Sequence, residues 1–421
     1  MSDKALSARK AAIYLLDQVI GQGKLLSELI QGGALEHLTP PDRARAQRLA
    51  AETLRGLERA DRLLQKHLQK YPPLTVRNAL RLGTIEICAL GEASHGVVNS
   101  MVEIVGRDRK HGKLKGLTNA VLRKIVTAGP EAWSQLRIPR LPKWLRGPLV
   151  EAWGPEAVAS METAHFAPVP LDISVKTDPE KLAKDLLGDV LPGGSVRLDE
   201  VGQVSTLPGF AEGDWWVQDA AAAMPVKLLE LQKGESVLDI CAAPGGKSLQ
   251  AAAMGGEVTA LDISASRLER VRENFERCGL DAKIVKGDAL KQKGQYDAII
   301  LDAPCSATGT IRRHPDLPHA KTGDNFGELI ELQSEMLDHA LGLLKPGGRL
   351  VYCTCSLLPD EGECQIEDAL QRHEDVELVS LEQDWIEDAW RAPEGGLRLR
   401  PDFWSDKGGM DGFYMAVLRK S

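Results

Sequence analysis

The sequence predicts a multidomain protein, in which an all-helical N-terminal bundle and a small α+β subdomain precede a C-terminal α/β domain. Three observations lead to this prediction. The 421 residues are too many for one ordinary hydrophobic core. Apolar residues recur at helical spacing from Ala8 to Val126, and strand and helix patterns alternate from Ala220 onward. We therefore place the three regions at residues 1–130, 131–219 and 220–421.

The N-terminal region has the apolar periodicity of packed helices. Leu15, Leu16 and Val19 share one face of such a helix, and the prolines after Tyr71 indicate a break between helices. Most of these apolar stripes are expected to form plain core.

The end of the helical region is rich in positive charge, with Asp108 as the single opposing residue: Arg107, Arg109, Lys110, His111, Lys113 and Lys115. A solvated helix face is one interpretation of this segment. A loop that contacts nucleic-acid phosphates is the other, and the interspersed glycines Gly106, Gly112 and Gly116 favour it. The net charge of −8 does not exclude such a partner, because a local basic face is sufficient.

Residues 129–217 combine many prolines and tryptophans with short mixed patterns. Residues 129–170 are typical of a connector with short helices. Leu171–Val175 then alternates as a strand does, and Pro179–Leu187 has helical spacing, with further extended segments up to Val217. This pattern predicts the α+β subdomain but no function for it.

The C-terminal region has the rhythm of a parallel, doubly wound sheet. The predicted helices between strands include Ser264–Cys278 and Glu328–Leu344. The predicted strands are Ser236–Ile240, Glu257–Asp262, Ala282–Val285, Tyr296–Leu301 and Gly348–Cys353. In such sheets the ligand lies beyond the carboxyl ends of the strands, so the residues at those ends are the candidate site.

A glycine-containing loop follows the first of these strands, and Pro244 and Gly245 mark its turn before a helix begins near Lys247. Such a loop brings bare backbone N–H groups close to a small ligand at a helix N-terminus. The loop is not a phosphate-binding P-loop, because Cys241 stands where that motif needs glycine. The G-x-G-x-x-G dinucleotide motif is absent from it as well.

Polar or reactive side chains follow the other predicted strands. Asp262, Asp288 and Asp302 follow the second, third and fourth strands, and Cys305 and Cys355 lie after the fourth and fifth. An acidic side chain after the second strand can accept hydrogen bonds from ribose hydroxyls. The set favours a nucleoside cofactor without a pyrophosphate, and S-adenosylmethionine fits that description.

The seven cysteines form no C-x-x-C pair or disulfide framework, which indicates reduced thiols. Cys353 and Cys355 lack further ligands at metal-site spacing, so we expect no metal. Thiols that border a polar cleft suit methylation of a pyrimidine at carbon 5. A thiolate that adds to carbon 6 makes carbon 5 nucleophilic, and a second acid/base group assists release.

Three segments carry a family resemblance: V-L-D-I-C-A-A-P-G-G-K-S at 237–248, D-A-P-C-S-A-T-G-T-I-R-R-H-P-D at 302–316 and Y-C-T-C-S at 352–356. They closely resemble the RsmB/Sun/Fmu ribosomal RNA (cytosine-5)-methyltransferases. The N-terminal region, from His95 to Val98 and from Leu117 to Asn119 above all, is similar to the RNA-binding fold of NusB. The expected fold is therefore a NusB-like bundle followed by a Rossmann-like methyltransferase domain.

The resemblance implies Cys355 as the nucleophile and Cys305 as the group that aids release. It also implies 16S ribosomal RNA as the substrate, with the cytidine turned out of its stack, and Asp302 close to the target base. The residues implied to bind S-adenosylmethionine are Cys241, Ala242, Ala243, Pro244, Gly245, Gly246, Lys247, Asp262, Asp288 and Asp302.

The chain also departs from the family pattern. Cys353 stands where a small residue is usual, and on a strand it would share a face with Cys355, so it is a possible competing thiol. Glu361-Gly362-Glu363 replaces an expected Glu-Asn-Glu, and the segment after Asp316 is unlike the usual basic one.

Two other functions remain open at this point. One is a transfer-RNA methyltransferase with the same chemistry, and the other is an RNA-binding assembly or antitermination factor with an inactive transferase domain. The polar start of the chain and the lack of an apolar run of bilayer length predict a cytoplasmic protein without a membrane partner. We expect it to be a monomer.

Overall fold

The computed structural model describes residues 3–199 and 201–421, with side chains from residue 6 onward. The chain forms two compact units. The first contains the residues up to Ala167 together with Ile311–Gly323, and the second contains Pro168–Thr310 and Asp324–Ser421.

The first unit is a bundle of helices, as the N-terminal sequence predicts. Its longer helices are Asp3–Gln22, Leu26–Gln31, Pro40–Arg55, Leu57–Gln65, Leu74–Cys88, Ser94–Arg107, Lys115–Ser134, Lys143–Trp153 and Pro155–Phe166. The predicted stripe forms core, because Leu15, Leu16 and Val19 are fully buried. The helix Lys115–Ser134 continues through Pro130, and the connector region forms the last two helices of this group.

The segment Ile311–Gly323 packs with these helices, which the sequence did not predict. Its single helical turn is Leu317–Ala320. Asp316 accepts a hydrogen bond from the backbone N–H of Leu26 at 2.8 Å, and His319 Nε2 lies 3.1 Å from the carbonyl oxygen of Leu54. These contacts give the unusual residues after Asp316 a structural role in the first unit.

The second unit begins with the small α+β subdomain. Its four strands are β1 (Leu171–Val175), β2 (Asp189–Val190), β3 (Val196–Leu198) and β4 (Trp215–Val217). They form an antiparallel sheet of order β2-β3-β1-β4, and the helix Pro179–Leu186 follows β1. The predicted strand at 171–175 and the predicted helix after it are confirmed.

The large sheet contains β5 (Ser236–Ile240), β6 (Glu257–Asp262), β7 (Lys283–Lys286), β8 (Tyr296–Asp302), β9 (Leu344–Thr354), β10 (Val376–Leu378), β11 (Leu397–Leu399) and β12 (Phe413–Lys420). Its strand order is β10-β12-β9-β8-β5-β6-β7, with β11 paired to β12. Helices at Ala220–Leu228, Gly246–Ala253, Ala265–Cys278, Phe326–Gly342 and Glu363–Arg372 complete this Rossmann-like domain.

The predicted parallel arrangement is confirmed for five of the eight strands and is wrong for the other three. Strands β5 to β9 are parallel and correspond to the five predicted strands. Strand β12 instead pairs antiparallel with β9, and β10 and β11 pair antiparallel with β12. Since β10 and β11 have three residues each and most of β12 is buried, these strands lack the clear alternation that predicts a strand from sequence.

The loop after β8 approaches the loop before β12 very closely at Gly309. Gly309 donates its backbone N–H to the carbonyl oxygen of Cys355 at 2.8 Å, and its own carbonyl accepts from Gly412 N at 2.8 Å. A Cβ atom at Gly309 would lie 2.0 Å from the carbonyl oxygen of Gly412. A side chain here therefore requires the two backbones to separate.

We predict that Gly309→Ala lowers the free energy of unfolding by about 1–3 kcal/mol, because the added methyl group overpacks against backbone. The matched control is Gly327→Ala, in the first turn of the helix Phe326–Gly342, where a Cβ atom meets nothing within 4 Å. This control should be neutral or slightly stabilising. Urea unfolding of both variants measures the difference, and equal stabilities would contradict the close approach.

Candidate active site

The glycine-containing loop connects β5 to the helix Gly246–Ala253, as predicted. Gly245 has a φ of +106°, a left-handed conformation that favours glycine. The loop is fixed by its own backbone, because Gly245 N donates to the Ala242 carbonyl at 2.8 Å. The Ala243 carbonyl accepts from Arg267 at 2.7 Å. A rigid loop therefore stands at the carboxyl end of the central strand.

Asp262 lies directly beside this loop. Its side chain is buried, and it accepts hydrogen bonds from Ala243 N at 3.2 Å and from Ser264 N at 2.9 Å. Arg267 lies 3.3 Å from the same carboxylate. A carboxylate offers about four acceptor sites, so these contacts leave capacity for one ligand hydroxyl.

Asp288 is near the same edge but is more exposed. The backbone N–H of Gly287 donates to the Asp262 carbonyl at 3.1 Å, which places Asp288 next to the end of β6. The Asp288 carboxylate caps a turn by accepting from Leu290 N at 3.1 Å, and Lys291 lies 3.3 Å away. Asp288 therefore caps this turn, whether or not it also contacts a ligand.

Asp302 and Lys247 form an ion pair at the ends of β8 and the glycine loop, with Nζ 2.8 Å from Oδ2. Lys247 is buried, and its ammonium group lies 5.0 Å from the centroid of the Phe413 ring. Burial is the largest single influence on the pKa of Lys247 and lowers it. The charges of Asp302, Cys353 and Asp239 and the hydrogen bond to Asp302 together outweigh burial, so that pKa is raised. Lys247 therefore remains charged beside the cleft carboxylates.

Asp239 is a carboxylate of this region that the sequence analysis did not single out. It lies inside β5, is fully buried and accepts a hydrogen bond from Ser248 Oγ. Burial raises its pKa to about 7. The sequence does carry a signal for this residue, because Asp239 is an acidic residue inside the apolar run from Val237 to Ile240.

Cys305 and Cys355 meet at the same edge of the sheet, since their Sγ atoms are 3.5 Å apart. Cys355 follows the last residue of β9, and Cys305 lies three residues after the end of β8. Both are half-buried. The contact with Cys355, together with burial, raises the pKa of Cys305 well above the usual thiol range, because two adjacent sulfurs resist carrying two negative charges.

Cys353 has a different environment from Cys355, although the two are separated by a single residue. It is fully buried, and its Sγ lies 3.6 Å from Asp302 Oδ1. Burial, with Asp302 as the next cause, raises the pKa of Cys353 well above the usual thiol range. Cys241 is similar, because burial and the nearby carboxylates raise its pKa to about 12. Both environments favour the protonated thiol.

The departure at Gly362 has a steric reason. A Cβ atom there would lie 2.5 Å from Arg398 Nη2 and 2.7 Å from the ring of Tyr414. Arg398 is itself held by an ion pair with Glu363 at 2.5 Å. Asparagine would not fit at this position without moving this pair.

The basic segment of the first unit presents its charges outward. Asp108 is used internally, because its carboxylate accepts from the backbone N–H groups of Lys110 and His111 at 2.8 and 2.7 Å. The exposed cations are Arg107, Arg109, Lys110, Lys113 and Lys115. Part of the segment borders a cavity of about 570 Å³ with apolar walls that include Ile13 and Val76. The exposed cations, and not the apolar walls of the cavity, are the part of this surface that suits an anionic polymer.

Within the part of the chain that the structure describes, no group of three or more His, Cys, Asp or Glu side chains is arranged to hold a metal ion. Over the same residues, none of the helices is long and apolar enough to cross a membrane.

Comparison with known proteins matches both regions of the chain. Residues 226–419 match the family described as 16S rRNA methyltransferase RsmB/F, and residues 6–127 match the NusB family. With the Rossmann-like fold, these matches define a methyltransferase that carries a NusB-type helical domain. Ribosomal RNA small subunit methyltransferase B of Vibrio cholerae is 34% identical, over 99% of this chain and 98% of that protein. The chain therefore belongs to the RsmB/F methyltransferase family.

Two further similarities agree with this assignment. Ribosomal RNA small subunit methyltransferase B of Pseudomonas putida is 36% identical over 99% of both chains. The solved structure of the protein PH0851 has a TM-score of 0.77 at 23% identity and covers 100% of this chain and 99% of its own. This second similarity supports the fold over the full length.

Proposed function

We propose that this enzyme methylates carbon 5 of a cytidine in 16S ribosomal RNA through a covalent bond between Cys355 and the base. The observation that carries the proposal is the 3.5 Å approach of Cys355 to Cys305, at the strand ends that also hold Asp302 and Lys247. Two thiols in contact beside a nucleoside-type cleft suit addition and release at one pyrimidine ring.

The residues at the cleft fit S-adenosylmethionine. Asp262 keeps acceptor capacity for a ribose hydroxyl, and the glycine loop leads into the N-terminus of the helix Gly246–Ala253. We assign the predicted set to this cofactor, with Asp288 as a further acceptor near β6 and the Asp302–Lys247 pair also facing the target base. When bound, S-adenosylmethionine supplies an electrophilic methyl group on a sulfonium.

The chemistry of the chain begins at Cys355. Its thiolate adds to carbon 6 of the cytosine, forming a C–S bond and moving the electrons of the C5–C6 double bond to carbon 5. With S-adenosylmethionine bound, carbon 5 would take its methyl group as the S–CH3 bond breaks, and the sulfonium sulfur would leave as the neutral thioether of S-adenosylhomocysteine. Cys353 is the weaker candidate for the addition, because it is fully buried and its environment raises its pKa.

Cys305 is assigned to release, and the order of steps follows from its contact with Cys355. Once the Cys355 sulfur is a neutral thioether, it no longer raises the pKa of Cys305 by charge and hydrogen bonding. Cys305 then loses its proton to solvent more readily. As a thiolate it removes the proton from carbon 5, the double bond re-forms, and Cys355 leaves as a thiolate.

The RNA substrate is supported by the names of the relatives and by the first unit. The Vibrio cholerae and Pseudomonas putida proteins are named ribosomal RNA small subunit methyltransferases. The exposed cations between Arg107 and Lys115 provide the local positive surface that RNA phosphates require. A reaction on ribosomal RNA is in keeping with the cytoplasmic location that the sequence predicts.

We predict that Cys355→Ala abolishes methyl transfer, because carbon 5 is then never activated. Cys305→Ala should instead accumulate a protein–RNA adduct that survives denaturing gels, because addition proceeds and release fails. Radiolabelled methyl transfer and gel mobility measure the two outcomes. Cys353→Ala is the control, which should still transfer the methyl group and release the RNA. Substantial turnover by Cys355→Ala would show that another residue is the nucleophile.

We also predict the loss of one 5-methylcytidine from 16S ribosomal RNA in a strain that lacks this gene. Bisulfite sequencing of total RNA from the deletion strain and its parent measures the change directly. Loss of the signal from a transfer RNA would favour the tRNA methyltransferase. An unchanged pattern in all RNA would favour the inactive RNA-binding factor.

A further inference from the structure

A buried carboxylate connects the two loops that carry the thiols. Glu361 is fully buried, and its Oε1 accepts from Ser306 N at 2.8 Å and from Gln333 Nε2 at 3.0 Å. Its Oε2 accepts from the hydroxyl groups of Ser306 and Ser356, both at 2.5 Å. Four donors therefore converge on one side chain.

Three of these four donors belong to two serines that are the chain neighbours of the thiols. Ser306 follows Cys305 in the loop after β8, and Ser356 follows Cys355 in the loop after β9. The hydroxyl groups of Ser306 and Ser356 are also 3.1 Å from each other. One carboxylate oxygen thus fixes the separation of the two loops.

The backbone of Glu361 is fixed to β9 as well. Its carbonyl oxygen accepts from the hydroxyl groups of Tyr352 and Thr354, each at 3.0 Å. Gln333 adds a contact to the first loop, because its Nε2 also donates to the Pro304 carbonyl at 2.9 Å. The carboxylate therefore cannot move without breaking several buried hydrogen bonds, each of which is costly to leave unmade.

We propose that Glu361 is a positioning residue that keeps the Cys305 and Cys355 sulfurs in contact, so that release follows addition. This inference rests on the proposed function for its consequence in catalysis. Glu361 accepts hydrogen bonds from the serines beside the thiols, and among the described residues none of its hydrogen bonds involves either sulfur, so its positioning effect passes through the loops. Its negative charge also contributes to the raised pKa of Cys305. It belongs to the Glu361-Gly362-Glu363 segment, which the proposed chemistry does not otherwise use.

The first test measures the contact of the sulfurs without RNA. Diamide oxidises two nearby thiols to a disulfide and is itself reduced to the hydrazine, and peptide mass spectrometry identifies the Cys305–Cys355 pair. In Glu361→Ala the rate of this cross-link should fall by roughly tenfold or more, since small misplacements of reacting groups cost up to about 10²-fold. Glu361→Gln should lie close to the wild-type rate, because its amide oxygen still accepts from Ser306 N.

The second test measures release with both thiols present. Glu361→Ala should retain a protein–RNA adduct on denaturing gels although Cys305 is intact, and Glu361→Gln should retain less. Loss of stability alone would lower methyl transfer without trapping an adduct. The control is Glu86→Ala, which removes another fully buried carboxylate, the partner of Arg9, and should lower the melting temperature without changing the cross-linking rate.

Wild-type cross-linking in Glu361→Ala would overturn the inference, as would slower turnover with no retained adduct. These failures are distinguishable from failure of the proposed function. If Cys305→Ala turns over without trapping an adduct, or Cys355→Ala keeps methyl transfer, the proposed roles of the thiols are wrong, whereas the diamide rate still reports whether Glu361 holds the sulfurs together.

Discussion

The parallel pairing of β8 with β9 is the constraint on which the rest of the site depends. Asp302 pairs with Cys353 in this register, and Ala303 N donates to the Cys353 carbonyl at 3.0 Å beyond the last pair. Both chains leave the sheet at the same edge and on neighbouring paths. Residues that are 50 positions apart in the sequence, Cys305 and Cys355, thereby come into contact.

The surroundings of the four cysteines near the cleft differ. Cys241 and Cys353 lie among buried carboxylates, where both burial and negative charge favour the protonated form. Cys305 and Cys355 are half-buried and face each other, and the contact with Cys355 is the largest cause of the raised pKa of Cys305. Lys247 offsets part of the negative charge by its ion pair with Asp302. Of these four cysteines, Cys305 and Cys355 have sulfurs in contact with each other, which is why the proposed reaction is assigned to them.

The sequence was sufficient to predict the elements that have a strong local pattern. Strands β5, β6 and β8 are short apolar runs between turn residues, and their predicted bounds agree with the structure to within one residue. The glycine loop and the acidic residues after the strands followed from the same pattern. The contact between Cys305 and Cys355 was implied by two motifs at adjacent strand ends.

Features that depend on tertiary contacts were not predictable from local pattern. The short strands β10 and β11 both form by pairing with β12, which is distant in sequence from β10, so their own sequences carry little signal. Ile311–Gly323 packs with the helical unit through Asp316 and His319, which look like ordinary loop residues. The convergence of Ser306, Ser356 and Gln333 on Glu361 joins residues from separate elements, which no spacing within one segment reveals.

In the proposed mechanism Cys355 forms the bond to the base, and Cys305 lies next to it and acts only in release. The most direct measurement uses 16S ribosomal RNA that contains 5-fluorocytidine, whose fluorine cannot be removed as a proton, so that the adduct persists after methyl transfer. Nuclease and protease digestion followed by mass spectrometry then identifies the modified cysteine. We expect a fluorinated, methylated nucleotide on the peptide that contains Cys355, bonded to the sulfur of that residue. A bond at Cys353 or Cys305, or complete absence of an adduct with an active enzyme, would contradict it.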